Sequence, residues 1–247
     1  MKPQIVIISV FCLATVALFS CTRHSLKEDK GTFVGEGVDS PYFFTNILKV
    51  KGMEVGASAD YGYGLGKSER TSLHVGLYGD MYDQHREATS TEFEKLANAI
   101  GDVPKKEKYC HGTPVDNQTT ESSISSVSVK TLTGYDETHP QGSSLKDIIR
   151  LRFQSFDHVF DKTLKPTKFG SADHAYYVIE PDEAFSLIKY PALLGRGYGG
   201  KEYVGGLVMS IEFTQKPTNP SQHIEVTLSF VNGLVLSKEV SVQIKEQ

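Results

Sequence analysis

Apolar and polar residues alternate with a period of two over much of the C-terminal third of the chain. Leu207, Met209, Ile211 and Phe213 interleave with Val208, Ser210, Glu212 and Thr214, the pattern of a half-buried strand. Ile224, Val226, Leu228 and Phe230 repeat it against Glu225, Thr227 and Ser229. Asn232-Gly233 follows, a pair suited to two positive φ angles, which predicts a type I′ hairpin turn. Val240, Val242 and Ile244 form the closing strand. Together these segments predict a meander of three antiparallel strands. Shorter alternations predict strands at Leu73-Val75-Leu77, Val127-Val129, Ile149-Leu151-Phe153 and Tyr176-Val178.

Phe93, Leu96, Ala97 and Ile100 fall at i, i+3, i+4 and i+7, so they share one helical face. Thr91 and Glu94 have capping-box spacing at its start, and Gly101 ends it. A second short helix is expected from Pro181, stopping before Pro191. Loops are expected at Gly101–Ser123, Leu132–Ser144 and Gly195–Gly206. No internal repeat is present. The pattern predicts a mainly β fold, a two-layer antiparallel sandwich with one or two peripheral helices. The alternative is an α+β sheet with a helix packed on one face.

The N-terminus breaks this pattern. Met1-Lys2 precedes an apolar run, Ile5–Phe19, too short for a comfortable membrane-spanning helix but suited to a signal-peptide core. The run ends in Leu18-Phe19-Ser20-Cys21, which resembles a bacterial lipobox, although Phe19 is bulkier than that motif usually carries. The resemblance implies cleavage after residue 20, a lipid-modified Cys21 and a membrane anchor. Each buried methylene contributes ~0.8 kcal/mol, so two or three acyl chains hold such a protein firmly. Residues 21–32 are charged and read as a tether, leaving 33–247 as one β-rich domain. Lys27-Glu28-Asp29 resembles a surface-export signal, but tethers are commonly charged in any case. The segment Val127–Asp147, followed by strands and a final hairpin, resembles lipoproteins of Bacteroides type. That resemblance implies an exported domain in the cell envelope, at the outer membrane, and carries no catalytic residues.

Charge and cysteine content narrow the partners. The net charge of −4 argues against nucleic acid. With Cys12 in the leader and Cys21 acylated, Cys110 is left alone and cannot form an internal disulfide. It sits in Lys108–Gly112, read as a polar loop with a plain free thiol.

Several motifs fail on context. Tyr61–Ser68 approaches a P-loop, but Tyr61 replaces its first glycine and a strand follows, so no nucleotide is expected. Gly195-x-Gly197-x-x-Gly200 spells the dinucleotide fingerprint without the strand and helix it requires, so no cofactor is expected either. Gly56-Ala57-Ser58-Ala59-Asp60 lacks the closing glycine of a nucleophile elbow, and Gly142–Leu145 reads as a turn entering a short helix. Asp136, Glu137 and His139 form the densest acid–histidine cluster, yet no metal-ligand spacing completes it, and turn-forming roles explain it more simply. Asp157-His158 and Asp173-His174 are adjacent pairs, which on a strand would point to opposite faces.

Arg196, Tyr198, Lys201 and Tyr203 are interleaved with six glycines between Gly195 and Gly206. Tyrosine and arginine on a glycine-rich segment favour recognition. The expectation is therefore a non-enzymatic envelope lipoprotein that binds a protein or glycan. The alternative is an exported hydrolase of glycan or peptide that uses paired carboxylates such as Asp136, Glu137 or Asp173. Two acids about 5–10 Å apart in a pocket are what that alternative requires.

Overall fold

The computed structural model describes residues 38–58, 72–105, 109–111, 117–164, 168–169, 175–193 and 204–244. Their strands are β1 (Val38–Ser40), β2 (Asn46–Ser58), β3 (Ser72–Asp83), β4 (Tyr109–His111), β5 (Gln118–Thr120), β6 (Ile124–Thr131), β7 (Ile149–Ser155), β8 (Lys168–Phe169), β9 (Ala175–Ile179), β10 (Val204–Phe213), β11 (Ser221–Phe230) and β12 (Val235–Gln243). The helices are α1 (Glu87–Ile100) and the single turn α2 (Asp157–Phe160), with a 3-10 turn at Lys146–Ile148.

Seven strands form one sheet in the order β5-β2-β3-β10-β7-β9-β8, antiparallel except for the β5–β2 pair. Three form a second sheet, β12-β11-β6, and β1 pairs with β4 in a separate ribbon. The fold is a mainly β, sandwich-like domain, as its alternation predicts.

The two sheets share one core. Leu73, Val75, Leu77, Leu151, Phe153, Met209 and Ile211 from the large sheet meet Val129, Ile224, Val226, Leu228 and Val242 from the small one. These are the inward positions of the alternation, and burying each such side chain contributes roughly 1.5–3 kcal/mol.

The expected three-strand meander is corrected. β10 pairs with β3 and β7, and β11 pairs with β12 and β6, so the chain changes sheets between β10 and β11. The connection Thr214–Pro220 holds Pro217 and Pro220 and is too long for a tight hairpin. The β11–β12 turn is also not type I′. Gly233 N–H donates to Phe230 C=O at 3.0 Å, Phe230 N–H donates to Leu234 C=O at 2.8 Å, and Gly233 takes φ 88°. Asn232 has no positive φ, so this is a β-turn closed by a left-handed glycine, the longer hairpin loop.

α1 starts at Glu87, four residues before the Thr91 expected to cap it. Its N-cap, Arg86, makes no side-chain cap bond, and Thr89 Oγ1 instead donates to Asp83 C=O at 2.8 Å. The C-terminus ends as expected: Gly101 takes φ 87°, and the Gly101 and Asp102 N–H groups bond the last carbonyls. No helix forms at Pro181. Glu183 N–H donates to Glu180 C=O and Asp182 takes φ 64°, so Pro181-Asp182 is the centre of a turn with proline first and a positive φ second. The expected loop Gly101–Ser123 also contains two strands: Tyr109–His111 pairs with β1, and Gln118–Thr120 is buried beside β2.

A second core is aromatic. Tyr42, Phe43 and Phe44 pack with Phe93 and Ala97 of α1, Phe156 before α2, and Tyr190. The Asp102 carboxylate accepts the N–H groups of Phe43 and Phe44 at 3.0 and 2.9 Å. Asp157 does the same for Lys189 and Tyr190 at 3.0 and 2.6 Å.

Candidate functional site

Cys21, Arg196, Tyr198, Lys201 and Tyr203 lie outside the described residues, as do Asp173-His174, the P-loop-like Tyr61–Ser68 and the fingerprint glycines. What flanks them is described. The glycine-rich stretch leads into β10, whose first paired residue, Val204, stands opposite Gly79, so strand replaces the outer three residues of the expected loop. A strand after Gly200 is not the helix that a dinucleotide site needs. Tyr61–Ser68 lies between β2 and β3, which pair down to Ser58 opposite Ser72. From Ser72 the chain is strand, where a P-loop would continue as a helix.

The Asp136–His139 cluster is assembled, and it gains a member. His139, 6 % exposed, places Nδ1 2.8 Å from Asp136 Oδ1 and Nε2 2.9 Å from Asp147 Oδ2. Nδ1 also lies 3.0 Å from the Thr138 hydroxyl, and with a carboxylate beside each nitrogen the surroundings favour the imidazolium. Asp136 Oδ1 also accepts from the Thr138 and His139 N–H groups and the Thr138 hydroxyl. Burial pushes the Asp136 carboxyl up, but these bonds outweigh it and hold its pKa at about 2. Burial pulls His139 down, yet the bonds to Asp147 and Asp136 reverse that and raise it above its ordinary value. Glu137 is exposed and takes no part. A carboxylate held ionised cannot serve as a general acid, and an imidazole occupied at both nitrogens cannot serve as a base. The arrangement pins the loop 132–144 to the 3-10 turn.

Asp157, of the pair Asp157-His158, lies on α2 rather than on a strand and is spent on backbone N–H groups. Cys110 lies in β4, opposite Asp39, and not in a loop.

Sequence reasoning missed the outward face of the large sheet. Ser72 stands across from Glu212, Glu212 from Arg150, His74 from Ser210, and Ser210 from Arg152. Glu212 is 3 % exposed. Arg150 Nη1 is 3.6 Å from it and Arg152 Nε 2.9 Å, the latter an ion-pair contact too bent to count as a hydrogen bond. Arg150 Nε also bonds Glu180 at 2.8 Å. Ser72 Oγ lies 3.3 Å from His74 Nε2, a serine–histidine contact, but Ser72 is itself buried. The alternation of Arg150 and Arg152 with Ile149, Leu151 and Phe153 was the available signal. Which strand they face depends on a pairing some 60 residues away in sequence.

Among the described residues, no group of three or more His, Cys, Asp or Glu is placed to hold a metal ion, and no helix is long and apolar enough to cross a membrane. Against known protein families, curated proteins and solved structures the chain finds no match, so the chemistry of these clusters rests on their own geometry.

Proposed function

We propose that this chain is a cell-envelope lipoprotein, anchored at the outer membrane through lipid on Cys21, whose β domain binds an envelope protein or a glycan without turning it over. The observation that supports binding is the outward face of the large sheet. Arg150 and Arg152 stand there partly exposed around one buried glutamate, a rigid strand-borne surface of hydrogen-bond donors. The strand bearing Ser210 and Glu212 is entered directly from the segment carrying Arg196, Tyr198, Lys201 and Tyr203. Tyrosine and arginine are enriched at binding hot spots.

The test is the double substitution Tyr198→Ala/Tyr203→Ala. Exposed side chains that serve recognition should leave the melting temperature within about a degree of wild type. Capture of outer-membrane proteins or immobilised cell-wall glycans should fall. A melting loss of many degrees, or capture that survives both substitutions, rejects the segment before β10 as the contact.

A further inference from the structure

The strongest unassigned device in the molecule is the histidine held between two carboxylates. We propose that His139 is a pH-operated latch, which keeps the loop 132–144 closed over the end of the core and releases it when the ring gives up its second proton.

The two arms of the latch differ. Asp136 lies three residues before His139 and is bound to the loop's own backbone, so that contact travels with the loop. Asp147 belongs to the 3-10 turn, so of the ring's two contacts Nε2–Asp147 is the one that leaves the loop, and it adds to the bonds Leu132 N–H to His223 C=O at 2.7 Å and Thr218 N–H to Tyr135 C=O at 2.8 Å that also hold the loop. Asp147 is also the more exposed acid, 44 % against 20 % for Asp136. Deprotonation sends one proton to solvent and leaves a ring lone pair facing a carboxylate. Asp147, open to water, is the partner that can turn away.

The charged and titratable groups on the surrounding elements include Asp136, Glu137 and Tyr135 in the loop, Lys130 of β6 opposite Ser144, Lys146 and Asp147 in the 3-10 turn, Asp182 bonded to that turn, Lys216 after β10, and His223 on β11. Among them, Asp136 and Asp147 are the charges that act on the ring, and both favour its protonated form. Tyr135 lies edge-on to His139, with ring centroids 6.4 Å apart. It also stacks on Phe213 and donates its hydroxyl to Gln215 C=O at 2.6 Å. Tyr135 is fully buried, so an open latch brings an aromatic surface to water.

Hydrogen exchange on the full chain, followed from about pH 5.5 to 9 and corrected for intrinsic rates, tests this, with proton NMR of the imidazoles alongside. Protection of residues 132–145 should fall several-fold as the His139 resonance titrates, while the β11–β12 hairpin stays protected. The step should vanish in His139→Gln and persist in His223→Gln. Should His139→Gln fail to fold, Asp147→Asn serves: with one carboxylate fewer, the step should move to lower pH. Protection that stays flat while His139 titrates, a step that survives His139→Gln, or a midpoint unmoved in Asp147→Asn would overturn the latch.

Discussion

Individual acids in this protein hold backbone in place. Asp102 and Asp157 each give a carboxylate to two consecutive N–H groups, and each pair borders the aromatic core. Asp157→Ala leaves the buried Tyr190 N–H and the part-buried Lys189 N–H without their acceptor, at ~1–3 kcal/mol for a buried group. Urea denaturation should show a loss of about 2 kcal/mol; a variant as stable as wild type would mean that water replaces the carboxylate. Asp136 adds a pH term. Its pKa falls from 3.8 unfolded to about 2 folded, so its stabilisation is complete above the unfolded value and is lost as pH drops through that window. Wild type should therefore lose stability between about pH 4 and pH 2 more steeply than Asp136→Asn, as denaturant midpoints at several pH values would record.

Among the secondary elements, glycines at two strand irregularities separate conformational cost from steric cost. A methyl group on Gly233 meets nothing within 4 Å, so Gly233→Ala carries only the strain of φ 88°, roughly 1–2 kcal/mol. At Gly79 the same methyl collides with the Lys49 carbonyl on the neighbouring strand β2. Gly79→Ala should lower the melting temperature far more than Gly233→Ala, and equal losses in calorimetry would refute this account. The inward residues of β3, β7, β10 and β11 were legible because period-two alternation is a local signal. Sheet membership was not, since β10 joins β3 and β7 from distant parts of the sequence. The Thr91–Glu94 spacing misplaced the start of α1 because Glu87 and Ala88 extend the helix past it. Asp136 and His139 were visible as neighbours, but Asp147 joins them only after the loop folds back. The roles of Asp157 and Glu212 depend on partners 30 or more residues away and leave no local trace.

For the whole molecule, the proposed anchor at Cys21 and the thiol of Cys110 carry the remaining predictions. Cys21→Ser should move the protein out of the membrane fraction, and unchanged fractionation with an unmodified N-terminus in mass spectrometry would defeat the lipoprotein proposal. With Cys12 cleaved and Cys21 acylated, as the lipoprotein proposal requires, reducing agent should leave the melting temperature unaltered, since Cys110 would then have no internal cysteine to cross-link. The site of the first described strand also has a mechanical consequence. Tension along residues before Val38 enters through the three residue pairs of β1–β4, then reaches Tyr42, Phe43 and Phe44, where Asp102 grips two amides. The sandwich core lies beyond that grip. On the proposed anchor at Cys21, a pull would therefore load the ribbon and the aromatic core before the sheets, placing them where a mechanical fuse would sit.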